Sequence, residues 1–90
     1  MPDHDAIQAR LLTLYRQGPV ERGILDILSR RKKDRRQTTV TTFVTELSKH
    51  GIRVPRQRVV EATKALAATG VGRYIKGAHE YPTRIEWVIR

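Results

Sequence analysis

Thr39-Val40-Thr41-Thr42-Phe43-Val44-Thr45-Glu46-Leu47-Ser48-Lys49-His50-Gly51-Ile52-Arg53-Val54-Pro55-Arg56-Gln57-Arg58-Val59-Val60 holds two helix signals separated by a short turn. Val40, Phe43, Val44 and Leu47 recur at i, i+3, i+4 and i+7, so a helix of about ten residues begins near Thr41, with threonine hydroxyls ahead of it to cap its free amides. Gly51 is the C-terminal stop, and Lys49 and His50 before it suit the negative end of the helix dipole. Ile52-Arg53-Val54 turns the chain. Pro55 takes the first helical position, where its missing N–H costs nothing, and the second helix runs to Thr69 before Gly70 ends it. Val59, Ala62 and Leu66 form its inner stripe. At about 100° per residue the opposite face carries Gln57, Val60, Glu61, Lys64 and Ala68, with Arg56 at its edge, a surface that is polar and built of small side chains.

Two further helices precede this pair. Between Asp5 and Tyr15 the residues Ile7, Leu11, Leu14 and Tyr15 make an apolar stripe, and Asp5 and Gln8 have the spacing of a capping box. Gly18-Pro19 ends that helix. Val20 to about Lys33 resumes with Ile24, Leu25, Ile27 and Leu28 on one side, weakened slightly by Gly23. Its end runs into Arg30-Arg31-Lys32-Lys33-Asp34-Arg35-Arg36, six cations in seven residues, whose mutual repulsion predicts an exposed helix end and loop. Gln37 to Thr42 is rich in β-branched residues and suits a short extended segment. After Gly70 the period changes to two: Arg73-Tyr74-Ile75-Lys76 and Arg84-Ile85-Glu86-Trp87-Val88-Ile89 alternate, with Gly77 and Pro82 marking a turn between them. Ile85, Trp87 and Ile89 share the inward face of this closing β-hairpin.

Ninety residues build one small domain, because a chain below roughly 100 residues has material for about one core and little for a deep catalytic pocket beside it. An enzyme is not expected. The absence of cysteine removes any disulfide framework or thiolate metal site. No apolar stretch approaches the roughly 18 residues of a membrane span, and the start Met1-Pro2-Asp3-His4-Asp5 lacks a signal peptide's basic residues, so the chain reads as cytoplasmic. Charge is the most informative figure: 18 Lys and Arg stand against 9 Asp and Glu, a net +9. Residues 1–26 hold three basic and four acidic side chains, leaving 15 and five for residues 27–90, so the basic character belongs to the last two thirds. Thirteen of the 18 cations are Arg, whose planar fork grips phosphate or the guanine edge bidentately. A polyanion is the implied partner.

Thr39 to Leu47 as a scaffold helix, His50 to Val54 as the turn, Pro55 to Val60 opening the next helix, and the hairpin of Gly70 to Lys76 and Thr83 to Trp87 together resemble the winged-helix variant of the helix-turn-helix. The resemblance covers roughly residues 20–90. It implies a mainly α fold with a small β-hairpin, in which residues 19–90 form the DNA-binding domain and residues 1–18 an extra leading helix. It also implies a recognition helix in the major groove and a wing on the backbone or minor groove. The chain departs from the family's commonest pattern in that extra helix and in the lack of a Ser, Thr, Asp or Asn cap immediately before Pro55.

Double-stranded DNA is therefore the expected partner and transcriptional regulation the expected role, at the nucleoid. On the recognition face, Arg56 can offer two donors to guanine, Gln57 can pair with adenine, and Val60 can touch a thymine methyl. Lys64 suits phosphate, whereas Glu61 is repelled by it unless it meets a cytosine amino group or orients Arg58. The bland account of the same face is an exposed surface with Glu61 and Lys64 as an i, i+3 pair. Arg30, Arg31, Arg35 and Arg36, joined by Arg53, Arg58, Lys76 and Arg84, form a candidate phosphate-neutralising band, or simply a solvated charge run. Arg73, Lys76, His79 and Arg84 play the same part on the wing. Three scattered histidines and two helical serines, Ser29 and Ser48, support neither a metal site nor serine catalysis, and no cofactor or small-molecule ligand is indicated. The leading helix either covers the core or presents Ile7, Leu11, Leu14 and Tyr15 to a second copy, and a homodimer is the expectation because it doubles the contact set. The alternatives are an architectural DNA binder of low sequence preference and a winged-helix module for RNA or an acidic protein.

Overall fold

Thr39 ends a strand and starts a helix. Its extended backbone lets its side chain accept a hydrogen bond from the amide of Thr42 at 3.1 Å, so the threonine-rich stretch both closes β1 (Gln37–Thr39) and caps α3 (Val40–Lys49). The computed structural model describes residues 4–30, 37–78 and 81–87. Around α3 the chain places α1 (His4–Tyr15), α2 (Pro19–Arg30), α4 (Arg56–Ala68), β2 (Gly72–Ile75) and β3 (Arg84–Trp87). The fold is mainly helical with a three-stranded antiparallel sheet of order β1-β3-β2, compatible with a winged-helix-like arrangement.

The helices follow their apolar periods. Ile24 from α2, Phe43 and Leu47 from α3, Val59 and Leu66 from α4 and Ile85 from β3 meet in one core, each at 1% exposure or less. Gly51 and Gly70 have φ of 80° and 98°, the left-handed conformation expected of helix-stop glycines. Gly23 has a different reason to be glycine: a Cβ there would lie 2.5 Å from Leu47 Cδ2, so α2 and α3 approach too closely for a side chain.

Four details differ from the sequence reading. Pro55 is the N-cap of α4 and not its first helical residue, with Arg56 starting the helix; its ψ of 146° is extended. Asp5 lies within the first turn of α1, which begins at His4. The short extended segment expected from Gln37 to Thr42 is present as β1 but stops at Thr39, because α3 already starts at Val40, and it pairs with β3, with Thr38 opposite Ile85. Trp87 is only partly buried, packing against the core while its indole N–H donates to Thr38 Oγ1 at 3.3 Å. This cross-strand bond joins the edge strand to the hairpin. The expected extension of α2 to Lys33 and the inward placement of Ile89 fall outside the described residues.

The leading helix covers the core. Ile7 and Leu14 are buried, Ile7 packs against Gly70, and Arg10 donates to the carbonyl of Thr69 at 3.5 Å, so α1 rests on the C-terminal end of α4. Arg22 on α2 places its guanidinium 5.1 Å from the centre of the Tyr15 ring. No helix among the described residues is long and apolar enough to cross a membrane.

Candidate nucleic-acid interface

The first turn of α4 begins against its own dipole. It carries Arg56 and Arg58, contains no acidic residue, and its N-cap Pro55 supplies no side-chain hydrogen bond. A helix N-terminus presents free amides and the positive end of the macrodipole, so two guanidiniums there repel the helix end that holds them. Each is steadied by another helix. Arg56 donates to Thr41 Oγ1 on α3 at 3.0 Å, and Arg58 pairs with the carboxylate of Glu21 on α2.

Past that turn, Val59, Ala62, Thr63 and Leu66 face the core, with the Thr63 hydroxyl donating to the carbonyl of Val59 at 2.8 Å. Gln57, Glu61, Lys64 and Ala68 are exposed on the opposite side. Val60 is half-buried and packs against the core, so less of it is open to a thymine methyl than the helical wheel indicates. Lys64 holds its ammonium 5.4 Å from the centre of the Tyr74 ring on β2, a contact that ties the exposed face of α4 to the wing. Tyr74 had no assigned role from sequence, because a contact between residues in different elements leaves no periodic signal.

The wing is β2 and β3 with a tip closed by a reciprocal Ala78–Tyr81 backbone pair. Arg73 faces Glu86 across the strands and pairs with it at 2.9 Å, an exposed ion pair of small energetic weight. Lys76 is exposed, and Arg84 donates from Nη1 to the carbonyl of Pro82 at 3.0 Å. Arg84 also stands opposite Thr39 in the ladder, beside the start of α3.

The candidate phosphate band divides between the two ends of α3. Arg56 reaches its N-terminal end at Thr41, whereas Arg30, the last residue of α2, donates to His50 Nε2 at its C-terminal cap at 3.2 Å. Nine residues of helix separate those anchors, roughly 13 Å along the axis, so the two cations lie too far apart to meet on one small anion. Exposed Arg53 follows in the turn. Among the described candidates, Arg58 alone is committed to a buried carboxylate. Arg31, Arg35, Arg36 and His79 lie outside the described residues. No protein-family model matches the chain, and neither does any curated protein or solved structure.

Proposed function

We propose that the chain binds double-stranded DNA without catalysis, entering the major groove with α4 and resting the β2–β3 wing on the flanking backbone, as a nucleoid-associated transcriptional regulator of the cytoplasm. The observation that carries this reading is the first turn of α4, where two arginines occupy the positive end of a helix lacking an acidic residue or a side-chain cap. Such a terminus is locally unfavourable for folding and favourable for a polyanion, whose phosphates answer the amides and the exposed Arg56 guanidinium. The net charge of +9 supplies the long-range attraction.

A homodimer on the duplex belongs to the same proposal, in a narrower form. Ile7 and Leu14 are consumed by the chain's own core, so contact between copies through α1 falls to its outer side around exposed Leu12. A one-to-one complex in sedimentation equilibrium with a short duplex contradicts that arrangement.

The architectural reading is supported by one feature: the exposed face of α4 offers Gln57, Glu61, Lys64 and Ala68, with no net charge and few base-reading side chains. Salt titrations on duplex DNA, single-stranded DNA and RNA, run side by side, test the main reading. Duplex affinity is expected to fall linearly in a log–log plot, with a slope reflecting roughly 4–8 neutralised phosphates. Equal or tighter binding to RNA favours the RNA-module alternative, and a flat salt response refutes polyanion binding.

A further inference from the structure

Glu21 is a carboxylate buried in a small basic protein. It sits in the first turn of α2 with 4% of its surface exposed, and Oε1 accepts a hydrogen bond from Arg58 Nη2 on α4. Oε2 is buried without a hydrogen-bond donor among the described residues. A Cβ on Gly18 would lie 3.3 Å from that oxygen, so the carboxylate folds back over the N-terminal end of α2, where the dipole favours negative charge. The Arg58 side chain keeps 39% of its surface exposed beside the first turn of α4. One edge of the guanidinium is spent inward and the remainder faces solvent.

Resting on the reading of α4 as the polyanion-binding helix, we propose that Glu21 withholds Arg58 from phosphate and so lowers the chain's grip on any duplex regardless of sequence. Two charges interact more strongly where water is excluded than at a solvated backbone. Moving Arg58 onto a phosphate would leave the Glu21 carboxylate buried and unpaired, a larger loss than a screened phosphate contact returns. Phosphate contacts carry no direct sequence information, and specificity is a difference between affinities. Removing one sequence-blind cation from play therefore raises the share of binding decided at base edges. Glu21 is a positioning residue in this account, acting through Arg58.

The full chain tests this with Glu21→Gln, the double substitution Glu21→Gln/Arg58→Gln, and Asp26→Asn, which adds one unit of net charge elsewhere on α2. Elution from a heparin column reports the availability of Arg58 to any polyanion, and binding to a random-sequence duplex reports it for DNA. Glu21→Gln is expected to elute at higher salt than both wild type and Asp26→Asn, and to steepen the log–log salt slope on duplex by roughly 0.9, one additional phosphate. The double substitution should return to the wild-type position in both assays, because Arg58 contributes nothing while paired. It leaves a neutral pair in place of the ions, so it keeps the comparison with wild type intact should Glu21→Gln alone fold poorly in a thermal melt. If the double substitution elutes well below wild type, Arg58 already contacts polyanion and the inference is wrong. It is equally overturned if Glu21→Gln behaves as Asp26→Asn does. The expected order on heparin with no binding to duplex would separate the two claims, sinking the DNA reading while sustaining the hold on Arg58.

Discussion

Arg56 and Gln57 stand side by side in sequence and differ in what the fold asks of them. Arg56 is anchored to Thr41, whereas exposed Gln57 has no hydrogen-bonded partner among the described residues. If both meet base edges, Arg56→Ala and Gln57→Ala should each cost about 1–3 kcal/mol on the best site and much less on random duplex, read by competition binding. Neither lies on the buried Val59, Ala62, Leu66 stripe, so circular dichroism should show an unchanged fold. An unchanged ratio of specific to random affinity in both variants would favour the architectural reading. Lys64→Ala is the companion measurement: a flexible ammonium over Tyr74 is expected to touch phosphate, lowering specific and random binding together. At this scale the sequence located the exposed side chains of α4 and missed their partners. Thr41, Tyr74 and Glu21 are brought to Arg56, Lys64 and Arg58 by the packing of α3, β2 and α2 against α4, and no spacing in the chain connects them.

Individual elements rest on a few decisive positions. Loss of the Thr39 side-chain cap in Thr39→Ala is expected to destabilise the protein by about 1 kcal/mol, measured by urea unfolding, because the amide of Thr42 loses its acceptor. Gly23→Ala offers a contest between two effects. Alanine gains about 1 kcal/mol of helix propensity over glycine, while forcing a methyl against buried Leu47 costs about 1–3 kcal/mol. Leu47 is 1% exposed and has nowhere to swing, so net destabilisation is the expected result; a higher melting temperature would show that α2 and α3 can part without penalty. Glycine in a helix reads from sequence as a weakness. Its cause is the close crossing of another helix, which only the packed structure contains.

Among the described residues the exposed cations are spread out and not gathered at one point, as the proposed binding of a long polyanion requires. Arg30 sits at the C-terminal end of α3 and Arg56 at its N-terminal end. Replacing Arg30, Arg31, Arg35 and Arg36 together with Gln should weaken binding to all duplex sequences similarly and flatten the salt slope, as anisotropy titrations on several sequences would reveal. Selective loss on one sequence would instead give that run a reading role. The order of helices, the stops at Gly51 and Gly70 and the closing hairpin were legible in the chain because each is a local consequence of apolar period or backbone freedom. So was the concentration of positive charge after residue 26, which is a matter of composition. Tertiary structure alone decided that β1 joins the hairpin through β3, that α1 spends Ile7 and Leu14 on the core, and that Arg58 is held by Glu21 while its neighbours remain open. These are pairings between residues far apart in the chain, set by which apolar faces must be buried together, and a linear pattern records the faces without recording what they meet.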